Sequence, residues 1–528
     1  MMRTKLALTL LASALATSAF ACSAESGDPA AAGEEDDLTS QSALARELTF
    51  QGKVYVRKGA SDSEVMSAVK AQTQTAFGPL RTSEIAVNSR ELREVDAATF
   101  KKRDVTVIDP AKSLETGTEM TEVTYLYKDN AVVAKRYARR TTVPLAVMNP
   151  GYRSQTDRIL RECTPNDAHS RDFASSAWYI FEPSLSQCKT AMKAEQDKIG
   201  ADRAKLKKAE QVAQSEVDRL YVPITARLGA NKTNKGESYP EYDRLYAGGV
   251  EPGKVVVGLV YGMIDHERHG GPESDYGFSQ YLDNIKEIMT EVPQLKITKI
   301  EGVTGDLSSV KLASGKTVNL KLADIVSLGG WGGGPAGLTS AERDEVKKLV
   351  GQALYLHWVT FEAPVSVKVG AEAEKQATVK IIGYFGAESG STPHKFGLKN
   401  SDVFIYNGHS YIGYGPLDPS NFSAADFPKS YQIMFVDGCV SYNYYEKDYI
   451  PLKEGGTQNL DLITNGVEAP SYRSGYALGR FVATLLNGKQ ASYRELLDAA
   501  SATDALRVVD GEVDNKYSPS RTPIVVRK

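Results

Sequence analysis

The chain has 528 residues, long enough for roughly two to four domains with sizeable cores rather than one. Hydrophobic residues at 41% and charged residues at 24% make a globular balance, which excludes a largely disordered or fibrous chain. Lysine plus arginine (63) against aspartate plus glutamate (66) leaves a formal charge of −3, so no bulk attraction to nucleic acid or anionic lipid is expected.

Met1-Met2-Arg3-Thr4-Lys5 precedes an apolar, small-residue run, so residues 1–21 have the layout of a secretory signal peptide. No later stretch reaches the ~18 uninterrupted apolar residues of a membrane span. Ala19-Phe20-Ala21 suits ordinary signal peptidase, yet Cys22 follows, and Ser18 to Cys22 resembles a bacterial lipobox in which Ala19 replaces the usual Leu. Two addresses stay open: a cell-envelope lipoprotein lipidated at Cys22, touching the membrane only through that anchor, or a soluble secreted protein. Residues 22–45, with the acidic run Glu34-Glu35-Asp36-Asp37, read as a flexible tether. Either address is extracytoplasmic, where disulfides persist. Of the four cysteines, Cys163 and Cys188 are natural partners, which leaves Cys439 unpaired.

Residues 46–150 read as a small α+β domain. Segments 48–50 and 54–56 are strand-like, Ser61-Asp62-Ser63 leads into a helix near 64–75, and 123–127 and 131–137 flank a hairpin turn at Lys128-Asp129-Asn130. Residues 151–250 form a disulfide-tied helical arm and linker. Met192, Ile199, Leu206, Ala213 and Leu220 recur every seven residues, which predicts one long amphipathic helix over about 188–222, stopped by Pro223. The stripe suits an intramolecular seam or a partner-binding coiled coil.

Residues 251–500 alternate strands and helices. Strands are expected at 255–261, 295–300, 325–328, 379–385, 403–406, 431–436 and 460–464. Helices are expected over the face Phe278, Tyr281, Leu282, Ile285, Met289, Val292, stopped by Pro293, at 342–354 behind a Thr339/Glu342 capping box, and at 475–486. Such alternation indicates an α/β domain, a mostly parallel sheet with flanking helices. Residues 501–528 read as a C-terminal tail.

Two of these strands end alike, in Val403-Phe404-Ile405-Tyr406-Asn407-Gly408-His409-Ser410 and Ile433-Met434-Phe435-Val436-Asp437-Gly438-Cys439-Val440. Ligands of open α/β sheets gather at the carboxyl ends of strands, and neighbouring strands lie ~4.8 Å apart, so imidazole and thiol would come within reach of each other. A thiol beside an imidazole becomes a useful nucleophile, and the Cys439 N–H is a candidate donor to an acyl-transfer oxyanion. Gly408, Asp437, Gly438 and, from the run Asp265-His266-Glu267-Arg268-His269, Asp265 and His266 are candidate pocket residues.

A hydrophobic strand ending in His followed by one ending in small-residue-Cys resembles the clan CD cysteine peptidases, the group of caspases, legumain, clostripain and gingipains. The resemblance spans about 253–488. It implies a caspase-like α/β fold, His409 as general acid/base, Cys439 as nucleophile, oxyanion donors from the backbone of Cys439 and Ser410, and a peptide or protein substrate with neither cofactor nor metal. Ser410 departs from the glycine usual after the histidine, a strained choice if that position needs positive φ. The rival reading is a catalytically inactive envelope protein acting as a binding or structural module.

Weaker signals remain. Gly332-Gly333-Gly334-Pro335-Ala336-Gly337 fits GxGxxG between an expected strand and a helix, with Glu362 beyond it, but Pro335 removes a backbone donor, and a loop near the strand ends is expected instead. His169, His357 and His394 have no evident partners in the sequence.

Overall fold

The computed structural model describes residues 37–265, 270–330 and 333–528. The signal peptide, Cys22, His266 and Gly332 lie outside the described residues, as do residues 22–36 of the expected tether.

The C-terminal half is built on a ten-stranded sheet among the described residues. Its order is Leu38–Thr39, Arg507–Asp510, Leu460–Asn465, Gln432–Asp437, Val403–Asn407, Lys254–Gly262, Lys375–Gly386, Trp358–Val369, Lys296–Ile300, with Ile524–Arg527 also paired to Trp358–Val369. The five strands from Leu460–Asn465 to Lys375–Gly386 run parallel, and every pairing outside them is antiparallel. The expected mostly parallel sheet is therefore a parallel centre with antiparallel margins. The connection from Trp358–Val369 to Lys375–Gly386 is too short for a parallel crossover, which needs about a dozen residues.

Parallel strands covered on both faces read as unbroken apolar runs, and Val403–Asn407 and Gln432–Asp437 are buried throughout. Alternate side chains serve two cores. Val403, Ile405, Ile433 and Phe435 pack with Phe278, Ile285 and Phe481 of the helices Tyr276–Glu291 and Ser474–Leu485. Phe404, Tyr406, Met434 and Val436 face the other way, into a core shared with the N-terminal half.

That half holds a seven-stranded sheet, ordered Thr142–Met148, Tyr221–Asn231, Ala43–Arg57, Thr118–Ala134, Lys101–Ile108, Gln211–Ala213, with Ile85–Val87 also on Thr118–Ala134. Several expectations are corrected here. The hairpin at 128–130 is the middle of the 17-residue strand Thr118–Ala134. Asp129, a turn former by type, is held in the strand because its buried carboxylate accepts the Ser89 N–H at 2.9 Å and the Tyr127 hydroxyl at 2.7 Å. The long helix over 188–222 stops early, as Ser186–Arg203. Beyond it, Gln211–Ala213 and Tyr221–Asn231 add strands to the sheet, and the Glu195 carboxylate receives the Leu220 and Tyr221 N–H groups, so sheet pairing overrides the heptad stripe. The N-terminal sheet thus takes in strands past residue 150, up to Asn231.

Residues 38–39 and 43–45 of the expected tether, and 507–510 and 524–527 of the expected tail, are strands of these sheets. Residues 325–328 fall in the helix Leu322–Ser327, started by the Asp324 carboxylate accepting the Lys321 N–H at 2.8 Å; a short apolar run carries no period to separate helix from strand. The Ser61 and Thr339 capping boxes both form. Cys163 and Cys188 are joined by a disulfide, which closes 25 residues between the helix Thr156–Glu162 and the start of Ser186–Arg203.

Candidate active site

Val403–Asn407 and Gln432–Asp437 are parallel neighbours, and their last register pair is Asn407 with Asp437. Each strand runs on through one glycine, so His409 and Cys439 stand at equivalent positions two residues past that pair. Both line one cavity of about 550 Å³, together with Gly408, Ser410 and Asp437. Gly438 lies against Ser410 and the Gly408 carbonyl. Asp265 accepts the Tyr276 N–H at 3.1 Å instead, and its neighbour Ile264 is the one on the cavity wall.

The imidazole is held from the adjacent parallel strand. His409 Nε2 meets the Ile264 carbonyl at 3.1 Å. A carbonyl only accepts, so Nε2 carries the hydrogen and the lone pair of the neutral ring is on Nδ1. Ile264 is itself fixed by Asp275, which caps Tyr276–Glu291 while its carboxylate receives the Ile264 and Asp265 N–H groups at 3.0 and 2.9 Å.

Cys439 is half-buried. Burial first, then the nearby Glu468 carboxylate, pushes its thiol up to about 11, and the Ala469 N–H facing the sulfur offsets this only in part. At rest the sulfur keeps its proton.

Ser410 has φ −81° and ψ −15°, a conformation any residue adopts, so the expected strain at that position is absent. The left-handed residues come next, Tyr411 and Ile412 at φ 50° and 54°, and Val440 at φ 52° follows Cys439. Positive φ at branched Ile412 and Val440 is costly and is held by its surroundings. The Ser410 carbonyl accepts the Tyr445 hydroxyl at 3.0 Å, and Val440 N–H donates to the Val467 carbonyl. Among the described residues, the Ser410 and Cys439 N–H groups donate to no protein acceptor.

Asp437 is a structural anchor. Its carboxylate pairs with Arg507 at 3.2 Å and accepts the Asn465 and Asn407 amides at 2.8 and 3.2 Å, which ties three strand ends together. The N-terminal half also grips both loops. Arg90 donates to the Gly413 carbonyl at 2.6 Å, and Asn443, just past Cys439, donates to the Val87 and Ser89 carbonyls. Asp172, Phe173 and Tyr179, from within the disulfide loop, form part of the cavity wall. Tyr179 packs on Phe77, and the Arg81 guanidinium lies 4.7 Å from its ring while pairing with Glu468.

Sequence reasoning missed Glu388, Tyr406, Arg507, Asp275 and this wall. Glu388 had a legible signal: Gly386-Ala387-Glu388 is a third strand end running through small residues to a reactive side chain. The others are placed by contacts across the fold.

His357 and His394 do not line the cavity. His357 Nδ1 meets the Ala353 carbonyl at 3.1 Å, and His394 is buried against Tyr406 and held down to about 4 by that burial. The glycine-rich run loses its strand context, because a helix precedes it, and Glu362 pairs with Lys254. Among the described residues, no three His, Cys, Asp or Glu side chains are grouped to hold a metal ion, and no helix is long and apolar enough to cross a membrane. No family model matches the chain, nor does any curated protein or solved structure.

Proposed function

We propose that the protein is an extracytoplasmic cysteine endopeptidase of caspase-like fold, with Cys439 as nucleophile and His409 as general acid/base. The observation that carries this is the delivery of imidazole and thiol by equivalent ends of two adjacent parallel strands into one cavity. As Cys439 Sγ bonds to the scissile carbonyl carbon, its proton passes to His409 Nδ1. The oxyanion is received by the Ser410 and Cys439 N–H groups, which have no competing protein acceptor among the described residues. Collapse breaks the C–N bond, His409 protonates the leaving amine, and a water deprotonated by His409 then hydrolyses the thioester. The disulfide supports an oxidising compartment, as a lipoprotein or secreted protein.

The test is hydrolysis of a peptide library by the wild type, Cys439→Ala and His409→Ala. Activity unchanged in Cys439→Ala rules out the nucleophile. One observation favours the rival reading of an inactive binding or structural module: the thiol pushed up to about 11 is a poor nucleophile unless substrate binding engages the imidazole. Covalent labelling of Cys439 by a peptide electrophile that stops in His409→Ala would exclude that rival.

A further inference from the structure

Three strand ends meet beneath the His409 turn, and one carboxyl fills the space between them. Glu388 stands two residues past Lys375–Gly386, and a Cβ on either Gly262 or Gly408 would overlap it, so glycine at both strand ends leaves the room it occupies. Its Oε2 accepts the Tyr411 hydroxyl at 3.1 Å and the His409 N–H at 3.4 Å, and its Oε1 contacts the Tyr406 hydroxyl. That hydroxyl also donates to the His409 carbonyl, 2.7 Å away.

Counting protons decides the state of this cluster. A tyrosine hydroxyl carries one hydrogen, and a carbonyl can only accept. Tyr406 is therefore bonded to the His409 carbonyl and to Glu388 at once only when Glu388 is protonated and donates to the Tyr406 oxygen. The neutral acid satisfies every contact: Glu388 donates to Tyr406, Tyr406 donates to the His409 carbonyl, and Oε2 receives Tyr411 and the His409 N–H. Ionised Glu388 draws the Tyr406 hydrogen to itself and leaves the His409 carbonyl without that donor.

We propose that Glu388 is a positioning residue, a neutral acid that clamps both backbone polar groups of His409, aims the imidazole at Cys439 and releases that aim on ionising. The proposal rests on the reading of His409 as the base. The groups facing the cluster are Tyr406 on its strand, His409 and Tyr411 in the turn, Asp275 at the start of Tyr276–Glu291, Tyr445 on Ser441–Tyr449 and His394 against Tyr406. Among the described residues, no lysine or arginine is one of them. Burial, with the Asp275 charge adding to it, accordingly holds the Glu388 carboxyl up at about 7.

Glu388→Gln is the discriminating variant, because its amide donates toward Tyr406 and accepts from Tyr411 and His409 as the neutral acid does, yet cannot ionise. With a peptide that the wild type cleaves, the wild-type kcat is expected to fall as pH rises from about 6 to about 8, whereas Glu388→Gln keeps it, with KM unchanged in both. Tyr406→Phe is expected to lower kcat at every pH by ~10-fold to ~10²-fold, again with KM unchanged. An alkaline limb identical in the wild type and Glu388→Gln overturns the clamp.

A second readout needs no substrate. The unfolded chain ionises Glu388 near the ordinary carboxyl value, while the fold keeps it protonated to about 7, so the wild-type thermal midpoint should drop relative to Glu388→Gln as pH rises from about 4.5 to about 7. Parallel curves overturn the proposal. Absence of any Cys439-dependent hydrolysis would instead remove the base that Glu388 serves, and with it the positioning role, while diverging curves would still mark the acid as neutral.

Discussion

Arg507 donates to Asp437 across 3.2 Å with both side chains shut off from water, at 1% and 0% exposure. The pair sits behind the cavity floor, and Arg507 also donates to the Ala500 carbonyl and Thr503 hydroxyl at 2.6 and 3.0 Å. Removing one partner of such a pair leaves an uncompensated buried charge. Arg507→Met is expected to lower the unfolding free energy by about 3–5 kcal/mol, read from urea denaturation. A loss below ~1 kcal/mol would mean that the neighbouring amides alone satisfy Asp437.

The thiol of Cys439, pushed up to about 11, predicts slow alkylation of the free enzyme at neutral pH. The rate with iodoacetamide should climb about tenfold per pH unit toward pH 11, because only the thiolate reacts. A fast, flat rate around pH 7 would show that the resting imidazole already holds the proton.

Glycines 408 and 438 occupy matching places but are not equivalent. A Cβ at Gly408 overlaps Glu388 and Tyr406, whereas one at Gly438 makes ordinary contacts with Ser410 at 3.5 Å and the Gly408 carbonyl at 3.6 Å. Gly408→Ala should abolish hydrolysis and lower stability by ~1–3 kcal/mol, as overpacking does, and Gly438→Ala should fold like the wild type. Equal thermal midpoints for the two variants would contradict this.

The Cys163–Cys188 bridge holds the segment that carries Asp172, Phe173 and Tyr179 over the cavity. Replacing both cysteines with serine is expected to cost about 3 kcal/mol of stability, from the loop entropy returned to the unfolded chain. It should also raise KM more than it lowers kcat, since this segment shapes the cavity while His409 and Cys439 are carried by the strand ends. A fall in kcat alone would argue against a binding role for the wall.

Among the described residues, two carboxylates, Asp172 and Glu468, line the cavity, and no lysine or arginine does. Arg81 balances Glu468 from behind. Peptides bearing a basic side chain should be cleaved in preference to otherwise identical acidic ones, by ~10-fold or less and by a shrinking margin as salt rises. A preference for acidic peptides would reverse the assignment of this lining.

The central strands and the paired His409/Cys439 ends were legible because each strand is a short, continuous apolar run ending in a glycine and a reactive side chain. Ser61 and Thr339 declared their helices through local capping, which depends on four residues alone. The N-terminal half resisted for the opposite reason. Lys128-Asp129-Asn130 has turn chemistry by composition, and only Ser89 and Tyr127, brought in by the fold, keep Asp129 extended. The heptad from Met192 to Leu220 was a true periodicity over one helix and a coincidence beyond Arg203, where strand partners decided the backbone. Arg507 became meaningful only once distant strands stood side by side, whereas Glu388 followed a strand end of the same legible kind.

The outermost strands carry a consequence for how the protein comes into being. Leu38–Thr39 pairs with Arg507–Asp510, and that strand supplies Arg507 to Asp437. During synthesis, His409 and Cys439 emerge before the residue that neutralises the acid beside them, and Leu38–Thr39 waits for a partner far along the chain. Contacts so far apart in sequence form late and slowly. The nascent chain should thus carry its imidazole and thiol in an unfinished arrangement, inert toward its own unfolded segments until Arg507–Asp510 is laid down.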